Sequence, residues 1–428
     1  MSDDKMARRK KQKIFFRNED VDFNFLWALA YASCAGTEVG ECFEAASRIR
    51  ENDPESWANA WSELASELET RADGRKARRH TVSAKNEYLR AFTYHKIASM
   101  GLRYNDPRFR REWSRARSCF QDATSLMSKP VEAIEISYHG GILPGYFMRG
   151  SGDMVGPTLI VLIGGEGWAE DGYFFIGRAG LARGYNVLAV ELQINPGTRI
   201  LNDKLLDRDI EATLEAIVDY ALSRPEVDKE RLAIIGFSAG GYFALKAASI
   251  DPRIKACIAD SPIHDLYGLF ASEMPGPLVN APAFIANSLV KVSAFNSPMS
   301  VIDLEKVCWV VGVNSIHEFM GACRALGTVD TGKIQCPLLC LAGEGESPGF
   351  LKQAREVYDT TRSSQKLLHI FTMAEGADAH CQLNNLSLMH EVAYDWLDEI
   401  FPGFDSTNGE STSGCVLTGK KDRNPSHR

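Results

Sequence analysis

The chain has 428 residues, is 45% hydrophobic and 24% charged, and carries a formal net charge of −8. That length suits one large folded domain with an appendage, or two domains. The acidic balance argues against a nucleic-acid partner, and no apolar run approaches the roughly 18 residues needed to span a bilayer.

Residues 1–20 hold the basic run "KMARRKKQK" and read as a flexible N-terminus. The following "IFFRNEDVDF" brings charge back where a secretory signal would need an apolar core. Ten cysteines are scattered without a CxxC pair or zinc spacing. Cys257, Cys308, Cys336 and Cys340 lie in apolar stretches and read as buried thiols of a reducing compartment, so the cytoplasm is expected.

Residues 21–130 follow a helical pattern and read as one all-helical segment without strands. "VDFNFLWALAYASC", "VGECFEAASRIREN", "PESWANAWSELASELETRADGR" and "SAKNEYLRAFTYHKIASMGL" repeat apolar residues every three or four positions, as in Trp57, Trp61, Leu64 and Leu68. Asp53 before Pro54 predicts a helix start. Exposed apolar faces on these helices would suit a homodimer.

From residue 131 to 404 strands and helices alternate. "VEAIEISYHGGILPGYFMRG" predicts a hairpin turning at Gly140 and Gly141. The runs "TLIVLIGG", "YNVLAVEL", "RLAIIGFS", "IKACIADSP", "PLLCLAGEG" and "QKLLHIFTM" are near-continuously apolar and separated by helices. Such runs mark a mostly parallel sheet covered on both faces. Over residues 262–334 the alternation lapses among prolines, which predicts an inserted lid. The tail from 405 to 428 is polar and reads as disordered.

Within "GFSAGG", Ser238 stands between Gly236 and Gly240 where a strand meets a helix. That is the nucleophile turn of an α/β-hydrolase fold, in which glycines two residues either side let strand and helix approach. Chain order in this fold runs serine, acid, histidine. His380, in the loop before the last helix, is the candidate base; His369 and His390 fall inside elements, and His264 and His317 inside the insertion. Glu346, three residues past Gly343, is the expected acid, with Glu344 its rival and Asp260 or Asp265 as alternatives. Asp378 reads as shaping the histidine loop. The backbone N–H groups of Ala239 and of Gly165 or Glu166 are the candidate oxyanion donors. Asp265, His80, Ser83 and Tyr88 are further candidates for substrate contact. No metal or other cofactor is called for; the partner expected is a small molecule.

These motifs, with "GEGE" after the seventh strand, "AEGADAHCQ" around the histidine, and "DPESWANAW" and "HTVSAKNEYLRAFTYHKIA" in the helical segment, resemble the fungal α/β-hydrolases that accompany polyketide synthases. That group includes the fusarin- and cytochalasin-cluster hydrolases and the polyketide-shortening hydrolases of yellowish-green pigment. The bacterial dihydroxypseudooxynicotine hydrolase is a more distant likeness. The resemblance spans roughly residues 20–402. It implies a helical cap over a Ser–acid–His site and a polyketide or polyketide–peptide substrate, opened by hydrolysis, closed into a ring, or shortened at a carbon–carbon bond. A binding scaffold without turnover is the alternative from a different class.

Overall fold

The computed structural model describes residues 13–129, 131–150, 155–205, 209–274 and 297–402. The tail expected to be disordered, most of the basic N-terminus and residues 275–296 of the expected lid lie outside them.

Five long helices precede the sheet: α1 (Glu19–Ala30), α2 (Val39–Ser47), α3 (Pro54–Ala77), α4 (Thr81–Met100) and α5 (Pro107–Ser125). Their ends follow local chemistry. Asn18 caps α1 by accepting from Asp20 and Val21 N–H, and Asp53 caps α3 ahead of Pro54. Trp57, Trp61, Leu64 and Leu68 form the buried face of α3. The stretch expected to be flexible up to residue 20 is structured from residue 13. Phe16 is buried, and the N–H groups of Ile14, Phe15 and Phe16 converge on the Asp22 carboxylate, which removes their need for water.

The sheet has eight strands in the order β1-β2-β4-β3-β5-β6-β7-β8. β1 (Val131–Tyr138) and β2 (Gly141–Met148) form the expected hairpin, with His139 and Gly140 both at positive φ in its turn. β2 also runs antiparallel to β4 (Asn186–Val190). The rest of the sheet is parallel: β3 (Gly156–Leu162), β5 (Val227–Phe237), β6 (Ala256–Asp260), β7 (Leu338–Gly343) and β8 (Lys366–Phe371). Between β3 and β4 come a π-helical turn at Tyr173–Gly177 and the short α6 (Arg178–Ala182).

Because side chains alternate along a strand, each sheet face builds its own core. Leu159, Val161, Ala233 and Ile235 join the helical cap in one apolar cluster, which α14 (Leu386–Ile400) completes. Ile160, Leu162, Ile234 and Cys257 pack on the other face against α8 (Ile210–Ser223) and α9 (Ala239–Ile250). The cap therefore shares a core with the sheet. α7 (Pro196–Asn202) follows β4.

The expected lid region contributes α10 (Leu266–Glu273), α11 (Pro298–Val311) and α12 (Ile316–Leu326). The chain then returns to β7, and α13 (Pro348–Thr360) leads to β8. Cys257, Cys308 and Cys340 are buried free thiols, whereas Cys336 is half-buried. Among the described residues no helix is long and apolar enough to cross a membrane.

Candidate active site

Ser238 sits between β5 and α9 with φ 52° and ψ −122°, a conformation disfavoured for a residue with a side chain. The turn is held on both sides. Ser238 N–H donates to Asp260 O at 2.5 Å and Gly241 N–H to Ser238 O at 2.8 Å. The flanking glycines are sterically required: a Cβ on Gly236 would lie 2.0 Å from Gly240 O, and one on Gly240 2.2 Å from Leu162 O.

His380 lies in the loop between β8 and α14 and is 8% exposed. Its Nδ1 meets Glu346 Oε1. Ser261 Oγ donates to that same oxygen at 2.5 Å, and Gly343 N–H donates to Glu346 Oε2 at 3.0 Å. Three groups thus fix a carboxylate that is 3% exposed. Glu344 points elsewhere, accepting from Met373 N–H at 3.3 Å. Asp260 is fully buried, and burial, with the Glu346 charge second, pushes its carboxyl well above the usual range. Turned so that its nitrogen faces that carboxyl, the Gln382 amide donates to Asp260 Oδ2 at 2.8 Å. Asp378 accepts from Asn384 Nδ2 at 3.0 Å within the histidine loop.

With Nδ1 engaged, His380 has Nε2 left for the cavity that it lines together with Ser238. This cavity measures about 360 Å³. Its wall is mainly apolar and includes Phe23 and Trp27 of the cap, Leu266 and Phe270 of α10, Val307 and Val311 of α11, and Phe319 and Leu326 of α12. Such a wall suits a substrate with a long apolar part.

Ala239 begins α9 and lines the same cavity, as do Gly165 and Glu166 after β3. A Cβ on Gly165 would meet nothing within 4 Å, so that side of the loop opens to the cavity. Asn195, fully buried after β4, pins this loop by donating through Nδ2 to Gly164 O at 2.8 Å and Gly167 O at 3.2 Å. Glu191, 1% exposed, accepts from Ala169 N–H at 3.2 Å and Thr198 N–H at 2.7 Å. Neither residue stands out in the sequence, where their signal is only that of polar side chains just past an apolar strand.

Burial, with the Glu170 charge second, pushes the Glu191 carboxyl up to about 8. The native state therefore holds this proton more tightly than the unfolded chain. Its contribution is fully present below the unfolded value near 4.5 and is lost as pH rises through about 8. Urea titrations should show Glu191→Gln flattening the fall in stability across that window relative to the parent.

Four expected contacts lie away from the cavity. Asp265 caps α10, accepting from Gly268 N–H at 2.9 Å. His80 and Ser83 are exposed at the start of α4. Tyr88 is buried against α3, donating to Asp73 Oδ1 at 2.5 Å, because its side of α4 faces the cap's own core. Two of the other histidines are engaged elsewhere. His264 meets Glu356 at 3.1 Å, and His390 meets Phe175 O at 2.6 Å, with burial lowering it to about 4.

Residues 51–281 match the esterase FrsA-like family. The chain is 31% identical over 413 residues to the hydrolase LUC6 of Fusarium sp, covering 90% of this chain and 97% of the relative. It is likewise 31% identical over 414 residues to the 20-hydroxy-prefusarin hydrolase FUS2 of Gibberella moniliformis, again covering 90% and 97%. Among solved structures, the 2,6-dihydroxy-pseudo-oxynicotine hydrolase is similar in fold, with a TM-score of 0.65 at 22% identity, covering 87% of this chain and 95% of that one. The resemblance to fungal hydrolases noted from the motifs therefore extends along most of the chain, and against a scaffold without turnover both curated relatives are hydrolases. The chain belongs to the esterase FrsA-like family of α/β hydrolases, and it is a hydrolase.

Proposed function

We propose that this hydrolase transfers an acyl group from a polyketide or polyketide–peptide intermediate to Ser238 and then to water or to a nucleophile within the substrate. The observation that supports the reading most is the meeting of Ser238 and a Glu346-anchored His380 at one apolar cavity. Ser238 Oγ attacks the carbonyl while His380 Nε2 takes its proton. Glu346 holds the imidazole by Nδ1 and stabilises the imidazolium. The oxyanion is received by the N–H groups of Ala239 and of Gly165 or Glu166. His380 returns the proton to the leaving group, an acyl-serine forms, and attack by water releases the acid and regenerates Ser238.

The leaving group names the reaction. An ester or lactone leaves as an alcohol, whereas a β-diketone leaves as an enolate that is protonated on carbon. The relatives guide the substrate class: one of them acts on 20-hydroxy-prefusarin. Incubation with matched medium-chain esters, lactones and β-diketones, followed by mass spectrometry in heavy-oxygen water, tests the proposal. One heavy oxygen in the product acid, formed by the parent and absent with Ser238→Ala, is expected. Turnover that survives Ser238→Ala would contradict it.

A further inference from the structure

Asn24 Nδ2 and Glu273 Oε2, in residues that line the cavity, have no hydrogen-bond partner among the described residues. Asn24, 4% exposed, reaches the cavity from α1, and its Nδ2 is buried without a hydrogen bond. Glu273, 7% exposed, ends α10; its Oε1 accepts from Ser347 Oγ at 2.6 Å while its Oε2 has no partner. Native proteins seldom leave buried polar groups unpaired, because burial strips water from them without return. Here one comes from the cap and one from the lid, and each is linked to a residue next to one that meets the histidine. Asn24 follows Phe23, whose ring centre is 6.4 Å from that of His380, and Ser347 follows Glu346.

The surrounding wall carries a sign as well. Asp20, Glu166, Glu273 and Asp303 line the cavity, whereas its described lining residues include no Lys or Arg. Lys306, beside Asp303 at 3.6 Å, is committed to Met100 O at 2.7 Å. A wall of this kind disfavours an anionic ligand and suits a neutral one with hydrogen-bonding oxygens.

We infer that Asn24 and Glu273 read oxygen substituents on a neutral, otherwise apolar substrate, Asn24 Nδ2 donating to a carbonyl or hydroxyl oxygen and Glu273 Oε2 accepting from a hydroxyl. The inference rests on the acyl-transfer reading only for the placement of the acyl carbon at Ser238. A ligand without the oxygen leaves the buried groups unpaired, which is how sites built for a hydroxyl reject the analogue that lacks it.

Calorimetry on the full-length Ser238→Ala protein tests this without any turnover. The probes are a medium-chain alkan-2-one, its β-hydroxy counterpart and the fatty acid of equal length, at mildly alkaline pH. The hydroxy ketone is expected to bind about tenfold tighter than the plain ketone, and the fatty acid about tenfold weaker. The readout is the ratio of the two ketone affinities. It should fall towards one when Asn24→Leu or Glu273→Leu is added and be largely kept by Glu273→Gln, whose amide oxygen still accepts. A merely structural role would weaken both ketones alike and leave the ratio intact. If Glu273→Leu does not fold, Asn24→Leu decides. Equal affinities in the parent, a ratio unmoved by Asn24→Leu, or a fatty acid that binds as well as the ketone would overturn the inference. Binding with this preference but without turnover by the parent would sink acyl transfer alone.

Discussion

Replacing Glu346 with glutamine should lower kcat for ester hydrolysis on the order of 10⁴-fold, with KM little changed, whereas Glu344→Gln should leave both close to the parent. The difference follows from what each carboxylate touches. Glu346 Oε1 meets His380 Nδ1, so the carboxylate keeps the proton on that nitrogen and leaves Nε2 able to accept from Ser238. Glutamine can offer its N–H₂ to Nδ1 instead, which favours the tautomer with Nε2 protonated and removes the base. Its neutral amide also cannot balance the imidazolium that forms during attack. Glu344 spends its side chain on Met373 N–H, away from the imidazole. Steady-state kinetics on the two variants checks this. A large kcat loss with Glu344→Gln, or a parent-like rate with Glu346→Gln, would assign the acid elsewhere.

Lys96→Met should destabilise the protein by about 3–5 kcal/mol, the usual cost of removing one partner of a buried ion pair. Lys96 Nζ on α4 lies 2.6 Å from Asp171 Oδ2, and the two side chains are 1% and 0% exposed. Burial lowers the Lys96 pKa, and the Asp171 charge works against that shift. The same Asp171 carboxylate accepts from Tyr31 OH at 2.8 Å and Trp168 N–H at 2.7 Å. One buried anion therefore joins the cap, through Tyr31 and Lys96, to the segment directly after the glycine-rich loop that follows β3. Methionine fills much of the lysine stem's volume, so the loss reports the charge rather than a cavity. It leaves Asp171 uncompensated, and Asp171→Asn added to Lys96→Met should restore part of the stability. Urea unfolding of the single and double variants measures this; additive losses would show that the pair is not coupled. Because Trp168 N–H shares the carboxylate, ester hydrolysis by Lys96→Met should fall as well.

The catalytic candidates could be read from the sequence because their signals are local. A serine flanked by glycines at a strand–helix junction, a glutamate three residues past Gly343 and a histidine in the last loop each depend on spacing within a few residues. The sheet was legible for the same reason: each parallel strand carries a short apolar run, and these runs alternate with helices.

Contacts made across the cap were not legible. The expected contacts of His80, Ser83 and Tyr88 were taken from one helical motif of the cap and that of Asp265 from the turn after β6, but the side of a helix that meets the cavity is set by tertiary packing. Tyr88 faces α3, and Asp265 is used up as a helix cap. Asn24 and Glu273 carry no distinguishing signal in the chain, since a polar residue on an amphipathic helix ordinarily faces water. The helix α5 was not picked out separately, because its many arginines mask the buried stripe of Phe109, Trp113, Ala116 and Phe120.

The most direct test of the central claim, that Ser238 is an activated nucleophile served by His380, is intact-mass analysis after treatment with an alkyl fluorophosphonate. The account predicts one adduct on the parent protein, mapped to Ser238, absent from Ser238→Ala and strongly slowed in His380→Ala. No adduct on folded parent protein, or an adduct that persists in Ser238→Ala, would contradict it.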